Sequence, residues 1–340
     1  MHVKRIGMVF VLVLILSSIV ACAKSGETNI SESKQSESEE SIVSSEEVVE
    51  TEEYTKSSLI ADVISDSAFE GYGRLLFPVD GGYYSGDTLD NLKLTWYNNI
   101  SPDETVDIVN YLKNQTLSGN TIFYDIYTDK EKADDPDKED TGLFFFRGNP
   151  GEKFAVCNAG GGFAYVGAMQ DSFPHALELS KLGYNAFALI YRPGAQTACE
   201  DLARAISFIF EHAEELQVDT NDYSLWGGSA GARMAAWVGS YGTQAFGGSN
   251  TPMASAVIMQ YTGYSEYSKN DPPTYVCVGD SDGIANWRTM KTRLENMSSL
   301  GIDTEFHVYS GLGHGFGIGK GTVAEGWLSD AVAFWEKQMK

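Results

Sequence analysis

The stretch SLWGGSAGARMAAW (residues 224–237) decides the fold. Its first part is a short apolar run that predicts a strand, and its last part is an alanine-rich run that predicts a helix. Ser229 lies between them, with Gly227 and Gly231 two places to either side, in the G-x-S-x-G pattern found around the nucleophile of many serine hydrolases. A sharp strand-to-helix turn exposes the serine hydroxyl and aims the next backbone N–H, that of Ala230, at a developing oxyanion. Ser229 is therefore the predicted nucleophile.

A second match to the same pattern occurs in YVCVGDSDGIANW (residues 275–287), around Ser281. Its neighbours Asp280 and Asp282 would repel a forming oxyanion, so this segment needs another role. In an architecture of this type the nucleophile, the acid and the histidine follow one another along the chain. Asp282 follows Ser229 and lies just past a predicted strand, so we interpret it as the acid that orients the histidine. Asp280 stays open as the alternative acid.

The general base is predicted to be a histidine after Asp282. His314 lies in GLGHGFG (residues 311–317), a loop that follows the predicted strand TEFHVYS, and its glycines allow the backbone to bring the ring over Ser229. The other histidines fit less well, because they lie in the leader, before the nucleophile, on a helix face or inside a strand: His2, His175, His212 and His307.

An oxyanion hole is predicted in CNAGGGF (residues 157–163), directly after a strand. The glycines let backbone N–H groups face a carbonyl oxygen without obstruction, and we expect Gly161, Gly162 and Ala230 to be the donors. Tyr191 and Arg192 end another strand at the same edge and are candidate substrate contacts. The alternative is that Arg192 pairs with a carboxylate and that Tyr191 lies at the rim of the core.

From residue 143 onward, predicted strands alternate with predicted helices. The fold class is therefore α/β, with a mostly parallel central sheet and helices on both of its faces. The predicted strands are GLFFFRG, KFAVCN, NAFALIYR, YSLWGGS, SAVIMQYT, TYVCVGD and TEFHVYS. Ligands of such sheets bind beyond the carboxyl ends of the strands, where the candidate catalytic residues lie.

Residues 57–142 form a predicted N-terminal extension or cap before a catalytic core at 143–340. Ser101 followed by Pro102 and Glu104 is typical of a helix start, and TIFYDIYT (residues 121–128) is a candidate early strand. Only about ten residues, GYSEYSKNDPP, separate two of the later strands, which leaves no space for a lid helix there. Any cap must therefore come from the extension.

The N-terminus predicts export. Residues 1–22 combine two basic residues with an apolar run that ends at Cys22, typical of a signal peptide with a lipoprotein-type cleavage site. Cleavage after ACA, which would release a secreted protein, is the alternative, and an uncleaved membrane helix is disfavoured by the length of the run. Residues 23–56 hold ten glutamates and three lysines among many serines, which predicts a disordered tether.

Composition excludes several functional classes. The net charge of −23 over 340 residues argues against a nucleic-acid partner, which needs a basic face.

Cys157, Cys199 and Cys277 lie in apolar or helical runs and are predicted to be buried and unpaired. We see no HExxH motif and no cysteine pair at metal-ligand spacing, so no metal or cofactor is predicted. The oligomeric state stays open.

These motifs resemble the α/β-hydrolase superfamily. Within it, the chain is similar to the carbohydrate-esterase and hormone-sensitive-lipase-like branch, which includes acetyl esterases and xylan esterases. The resemblance covers residues 143–340 and rests on NAGGGF, GGSAG, VGDSDGIA and GLGHGFG. In that branch a histidine usually precedes the glycine triplet, whereas this chain has Ala159. The resemblance implies attack of Ser229 on an ester carbonyl and hydrolysis of the acyl-enzyme by water activated by His314.

The expected function is a short-acyl, acetyl-type serine carboxylesterase on decorated carbohydrates outside the cytoplasm. An open site without a lid suits bulky or polymeric substrates, and a lipid anchor would hold the enzyme at the membrane. Two alternatives remain: a prolyl-oligopeptidase-like peptidase, which usually carries a β-propeller that this chain has no room for, and a non-catalytic glycan-binding surface lipoprotein.

Overall fold

The strands predicted after residue 142 form one sheet in the computed structural model, which describes residues 52–97 and 100–340. The predicted signal peptide with Cys22, and the predicted tether as far as Thr51, lie outside the described residues. The described strands are β1 (Tyr84–Ser85), β2 (Lys93–Leu94), β3 (Phe123–Tyr124), β4 (Gly142–Phe146), β5 (Lys153–Asn158), β6 (Asn185–Ile190), β7 (Asp219–Gly228), β8 (Ala256–Gln260), β9 (Thr274–Gly279) and β10 (Thr304–Tyr309).

Helices connect most of these strands. The described α-helices are α1 (Ile60–Ser65), α2 (Pro102–Leu117), α3 (Asp129–Asp134), α4 (Ala168–Asp171), α5 (Phe173–Lys181), α6 (Ala195–Glu211), α7 (Ala213–Leu216), α8 (Ala230–Tyr241), α9 (Trp287–Ser299) and α10 (Trp327–Glu336). Not one of them, within the described ranges, is long and apolar enough to cross a bilayer.

The sheet has the order β10-β9-β8-β7-β5-β6-β4-β3. Its strands from β10 through β6 pair in parallel, and β4 and β3 add an antiparallel edge. The central strands are buried on both faces, since helices pack against them, which explains why they read as continuous apolar runs. The predicted α/β class with a mostly parallel sheet is confirmed.

Helix α8 approaches the sheet unusually closely. Ser229 directly follows the last residue of β7, and α8 begins at the residue after it. A Cβ atom at Gly231 would fall on the backbone carbonyls of Asn158 and Ala159, at the end of β5, well inside van der Waals contact. Glycine at 231 therefore allows the first turn of α8 to lie directly against the neighbouring strand.

The N-terminal extension is part of the same compact unit, which comprises residues 52–340. The predicted early strand at 121–128 forms only β3, because Tyr127 leaves the sheet and donates a hydrogen bond to buried Asp201. Ser101 caps α2 as expected, with its side chain accepting from the N–H of Glu104. The predicted tether ends earlier than residue 56, since Tyr54 is hydrogen-bonded to α2.

We predict that Gly231→Ala lowers the free energy of unfolding by about 1–3 kcal/mol, because the methyl group must displace backbone at the end of β5. Chemical denaturation measures this. Gly263→Ala is the control: nothing lies within 4 Å of a Cβ at that site. Its stability should be unchanged or slightly higher. Equal stability of the two variants would contradict the close contact of α8 with β5.

Candidate active site

Ser229 lies in a strained turn at the carboxyl edge of the sheet. Its backbone has φ 50° and ψ −113°, which side chains other than glycine rarely adopt, and its N–H donates to the carbonyl of Gln260 at 3.0 Å. Gly227 and Gly231 permit the turn, since a Cβ atom on Gly227 would collide with the backbone of Gly231. The local sequence therefore produces the sharp elbow that the G-x-S-x-G pattern predicts.

Three of the predicted side chains form a chain of hydrogen bonds. The Oγ of Ser229 lies 3.1 Å from Nε2 of His314, and Nδ1 of His314 lies 2.8 Å from Oδ2 of Asp282. The side chain of Asp282 is fully buried, and its other oxygen accepts the N–H groups of Ile284 and Ala285 at 2.7 Å each. A carboxylate held in this way fixes the orientation of the imidazole and stabilises its protonated form.

The loop after β10 carries His314 over the serine. Gly311, Gly315 and Gly317 have positive φ angles, so this backbone path depends on glycine. The ring of His314 packs edge-on against Tyr261 at a centroid distance of 5.0 Å. The glycines of this loop were predicted to let the backbone bring the His314 ring to Ser229. The positive φ angles and the position of the ring agree with that prediction.

The rival residues of the GDSDG segment lie elsewhere. Asp280 is exposed and accepts the N–H of Gly311 at 2.7 Å, which lowers the pKa of its carboxyl, with a further hydrogen bond from Ser281 acting in the same direction. Neither Asp280 nor Ser281 is hydrogen-bonded to His314. This segment therefore has two roles. Asp280 binds the start of the loop that carries His314, and Asp282 is the carboxylate that is hydrogen-bonded to His314.

The second and third glycines of the triplet after β5, Gly161 and Gly162, direct their N–H groups out of the loop. The carbonyl of Gly160 accepts the N–H of Gly167, and that of Gly161 accepts the N–H of Ala164, both at 3.0 Å. In a trans peptide the N–H points opposite to the carbonyl, so the N–H groups of Gly161 and Gly162 point out of the loop. Among the described residues neither of them has an acceptor. Both are available to a bound oxyanion.

The triplet lies beside the serine. A Cβ atom on Gly160 would come within 2.9 Å of Cβ of Ser229. Ala230 begins α8, so its N–H belongs to the first helical turn, where no intrahelical acceptor exists and the helix dipole favours negative charge. The loop that carries Gly161 and Gly162 and the helix start that carries Ala230 thus both adjoin Ser229.

The polar groups of Tyr191 and Arg192, the candidate substrate contacts, are bound within the protein. The hydroxyl of Tyr191 is buried and donates to the carbonyl of Ala159 at 2.7 Å. The guanidinium of Arg192 is held by the carboxylates of Asp201 and Asp135 at 2.7 Å and 2.6 Å. The alternative interpretation, an arginine paired with carboxylates, is the one that the structure supports.

The other histidines and the cysteines within the described ranges take no part in the site. His175 is buried against Trp327, His212 is partly exposed, and His307 lies in β10 beside Glu305. The three cysteines at 157, 199 and 277 are buried and unpaired, as predicted. Within the described ranges no cluster of three or more histidine, cysteine or acidic side chains could hold a metal ion.

Sequence reasoning missed Asp171, which lies behind the glycine triplet. Its buried carboxylate accepts the N–H of Gly160 at 2.9 Å and the hydroxyl of Tyr97 at 2.6 Å. Tyr97 comes from the N-terminal extension. No local motif marks either residue, because an aspartate at the end of a short helix and a tyrosine in an irregular segment are common features.

Residues 151–293 match the model of the BD-FAE family, an α/β-hydrolase-type esterase family. The fold is that of an α/β-hydrolase. The matched range contains Ser229 and Asp282, and His314 follows it. The resemblance to the superfamily that the motifs indicated is confirmed. No curated protein matches the sequence.

Several solved structures share the fold. An acetyl ester-xyloside bifunctional hydrolase from Caldicellulosiruptor lactoaceticus has 19% identity and a TM-score of 0.53, over 58% of this chain and 88% of that one. A thermophilic esterase from Thermogutta terrifontis has 20% identity and a TM-score of 0.50, over 58% and 89%. A sugar hydrolase from Lactococcus lactis has 20% identity and a TM-score of 0.50, over 58% and 94%.

We predict that Asp282→Asn slows the reaction of Ser229 with a fluorophosphonate probe by about 10³–10⁴-fold, because an amide cannot stabilise the imidazolium. The labelling rate measured by mass spectrometry tests this. Asp280→Asn is the matched control from the same loop and should react at close to the wild-type rate. A larger loss in the Asp280 variant would reassign the acid.

Proposed function

We propose that this protein is a serine hydrolase that cleaves carboxylic esters through an acyl-enzyme. The observation that carries the proposal is the hydrogen-bonded chain from Ser229 through His314 to Asp282, beside backbone N–H groups without acceptors. The match to an esterase family model and the fold shared with esterases support it.

In this mechanism the Oγ of Ser229 attacks the ester carbonyl while its proton passes to Nε2 of His314. The carbonyl oxygen becomes an oxyanion that accepts hydrogen bonds from the N–H groups of Gly161, Gly162 and Ala230. Collapse of this intermediate breaks the bond to the alcohol, which takes the proton from Nε2. A water molecule then gives its proton to Nε2 and attacks the acyl-enzyme. Release of the acid returns the proton to Oγ.

We propose a short acyl group, acetyl above all, on a decorated carbohydrate. The connection from β8 to β9, residues 261–273, contains no helix that could cover the serine, which suits a bulky alcohol better than a buried long acyl chain. Two of the proteins that share the fold are described as an acetyl ester-xyloside hydrolase and a sugar hydrolase.

The position of Trp96, in the N-terminal extension, is evidence that the alcohol part of the ester is a sugar ring. Its indole lies against Gly162, at 2.9 Å from the position a Cβ would take there, and the residue is 48% exposed. Its backbone has φ 72°, an unfavourable conformation for a bulky residue, which persists only where the surroundings enforce it. Tyr83 and Tyr165 flank the indole. An exposed aromatic face beside the oxyanion glycines is a platform on which a sugar ring can stack.

We further propose that the enzyme acts outside the cytoplasm as a lipoprotein attached through Cys22, with the acidic segment as a tether. The support for this is the sequence pattern of residues 1–56. Release as a secreted protein after cleavage at ACA is the alternative. Metabolic labelling with a radioactive fatty acid, with Cys22→Ser as the control, separates the two.

We predict that the purified protein hydrolyses p-nitrophenyl acetate faster than the butyrate and octanoate esters, and that it releases acetate from acetylated oligosaccharides. Ser229→Ala should abolish both activities and labelling by a fluorophosphonate, whereas Ser281→Ala should keep them. A wild-type protein that binds acetylated glycans but does not react with the probe would be a binding protein, and cleavage of peptides in preference to esters would favour a peptidase.

We predict that Trp96→Ala raises the KM for an acetylated oligosaccharide about fivefold, corresponding to a lost stacking contact of about 1 kcal/mol. The KM for vinyl acetate, which has no ring, should stay within about twofold by the same reasoning. Tyr241→Ala, an exposed aromatic residue at the end of α8, is the control. An equal change for both substrates would refute the platform.

A further inference from the structure

Asp171 is a buried carboxylate without a cationic partner among the described residues. It is 1% exposed and accepts three hydrogen bonds: from the N–H of Gly160 at 2.9 Å, from the hydroxyl of Tyr97 at 2.6 Å, and from the hydroxyl of Tyr261. No lysine, arginine or histidine of the described ranges forms an ion pair with it. Burial of a charged group without a counter-ion is unfavourable in free energy. Hydrogen bonds from several donors to the carboxylate oxygens offset this cost.

The two phenols keep their protons. Burial raises the pKa of Tyr97 and of Tyr261 well above the ordinary value for tyrosine, and the charge of Asp171 raises both further. Both hydroxyls can therefore donate to the carboxylate. The third donor, the N–H of Gly160, is a backbone group of the oxyanion loop.

The peptide between Ala159 and Gly160 is held at both of its ends. Its carbonyl accepts the hydroxyl of Tyr191 at 2.7 Å, and its N–H donates to Asp171 at 2.9 Å. With this peptide plane fixed, the carbonyl of Gly160 turns to the N–H of Gly167. The N–H of Gly161, on the opposite side of that next peptide, is then directed out of the loop.

The same carboxylate contacts the other parts of the site. A Cβ atom on Gly228, directly before the serine, would collide with Asp171. Tyr261, which donates to Asp171, also packs against the ring of His314 and accepts the N–H of Gly317 at 3.3 Å. One buried side chain thus touches the oxyanion loop, the nucleophile turn and the support of the histidine loop.

We propose that Asp171, together with Tyr191, is a positioning residue of the oxyanion hole: by fixing the Ala159–Gly160 peptide it sets the direction of the N–H of Gly161. This inference rests on the proposed function and goes beyond it, because it assigns a role to two side chains outside the hydrogen-bonded chain of Ser229, His314 and Asp282. The two side chains hold the loop from opposite ends of one peptide.

The decisive variants are Asp171→Ala, Asp171→Asn and Tyr191→Phe. Removal of a single oxyanion donor costs about 10²–10³ in kcat, so a displaced donor in Asp171→Ala should lower kcat about 100-fold while KM changes less than about threefold. Asp171→Asn keeps an oxygen that can accept the N–H of Gly160, and should recover kcat to within about tenfold of wild type on the same scale.

A trifluoromethyl ketone, which forms an oxyanion on Ser229, gives a readout that a purely structural role would not change. Its inhibition constant should rise in the same proportion as kcat/KM falls across the series. Tyr191→Phe should lower kcat roughly tenfold, since one of two contacts remains. Tyr223→Phe is the matched control, because that buried hydroxyl also donates to a backbone carbonyl, at Pro252, remote from the loop. It should lose similar thermal stability and keep wild-type kcat.

Folded Asp171→Ala and Tyr191→Phe proteins with kcat and ketone affinity within about threefold of wild type would overturn the inference. If Asp171→Ala does not fold, the comparison of Tyr191→Phe with Tyr223→Phe decides alone. A wild-type protein that neither hydrolyses esters nor reacts with a fluorophosphonate would instead refute the proposed function, and the inference with it.

Discussion

The structure of the site depends on one constraint: Ser229 must adopt a positive φ angle in the turn between β7 and α8. At this turn the first residues of α8 lie almost in contact with the end of β5. Such a backbone conformation costs on the order of 1–3 kcal/mol and persists only where its surroundings determine it. Here Gly231 lets α8 approach β5, the N–H of Ser229 is bound to the carbonyl of Gln260, and the carboxylate of Asp171 fills the space beside Gly228. The strain is therefore offset by contacts with three neighbouring segments.

Parallel topology explains why these segments meet. The strands β5, β7, β8 and β9 lie side by side in the sheet, and all end at the same edge. The oxyanion loop, the nucleophile, Tyr261 and Asp282 each follow one of these ends, so residues that are distant along the chain become adjacent without any special connection. The histidine comes from the loop after the next strand, β10, and this loop, like the oxyanion loop, contains glycines with positive φ angles.

The sequence predicted the parts whose signals are local. The elbow, the acid and the histidine each follow a strand directly, and their order along the chain restricts the choice, so Ser229, Asp282 and His314 could be proposed before their distances were known. Asp171 could not, because its partners Tyr97 and Tyr261 are 74 and 90 residues away and only the packed fold brings them together. Local patterns carry no information about such contacts.

Tyr191 shows a second reason why part of the site could not be predicted from the sequence. Its position at the end of a strand on the catalytic edge was correctly inferred, but a strand end does not fix which way the side chain points once the regular pleat stops. The hydroxyl points inward and donates to the carbonyl of Ala159. Tyr191 therefore holds the start of the oxyanion loop from the strand next to β5.

The N-terminal extension is needed for the site as well as for the fold. Residues 123–124 extend the sheet, Tyr97 donates to the carboxylate behind the oxyanion loop, and Trp96 lies on Gly162. A core cut at residue 143 would expose the antiparallel edge strand β4 and leave Asp171 with two of its three donors. Because an incompletely satisfied buried carboxylate is strongly unfavourable, the loop that it holds would lose its fixed geometry. The extension and the catalytic core therefore form one functional unit, although the motifs that indicate the chemistry all lie after residue 143.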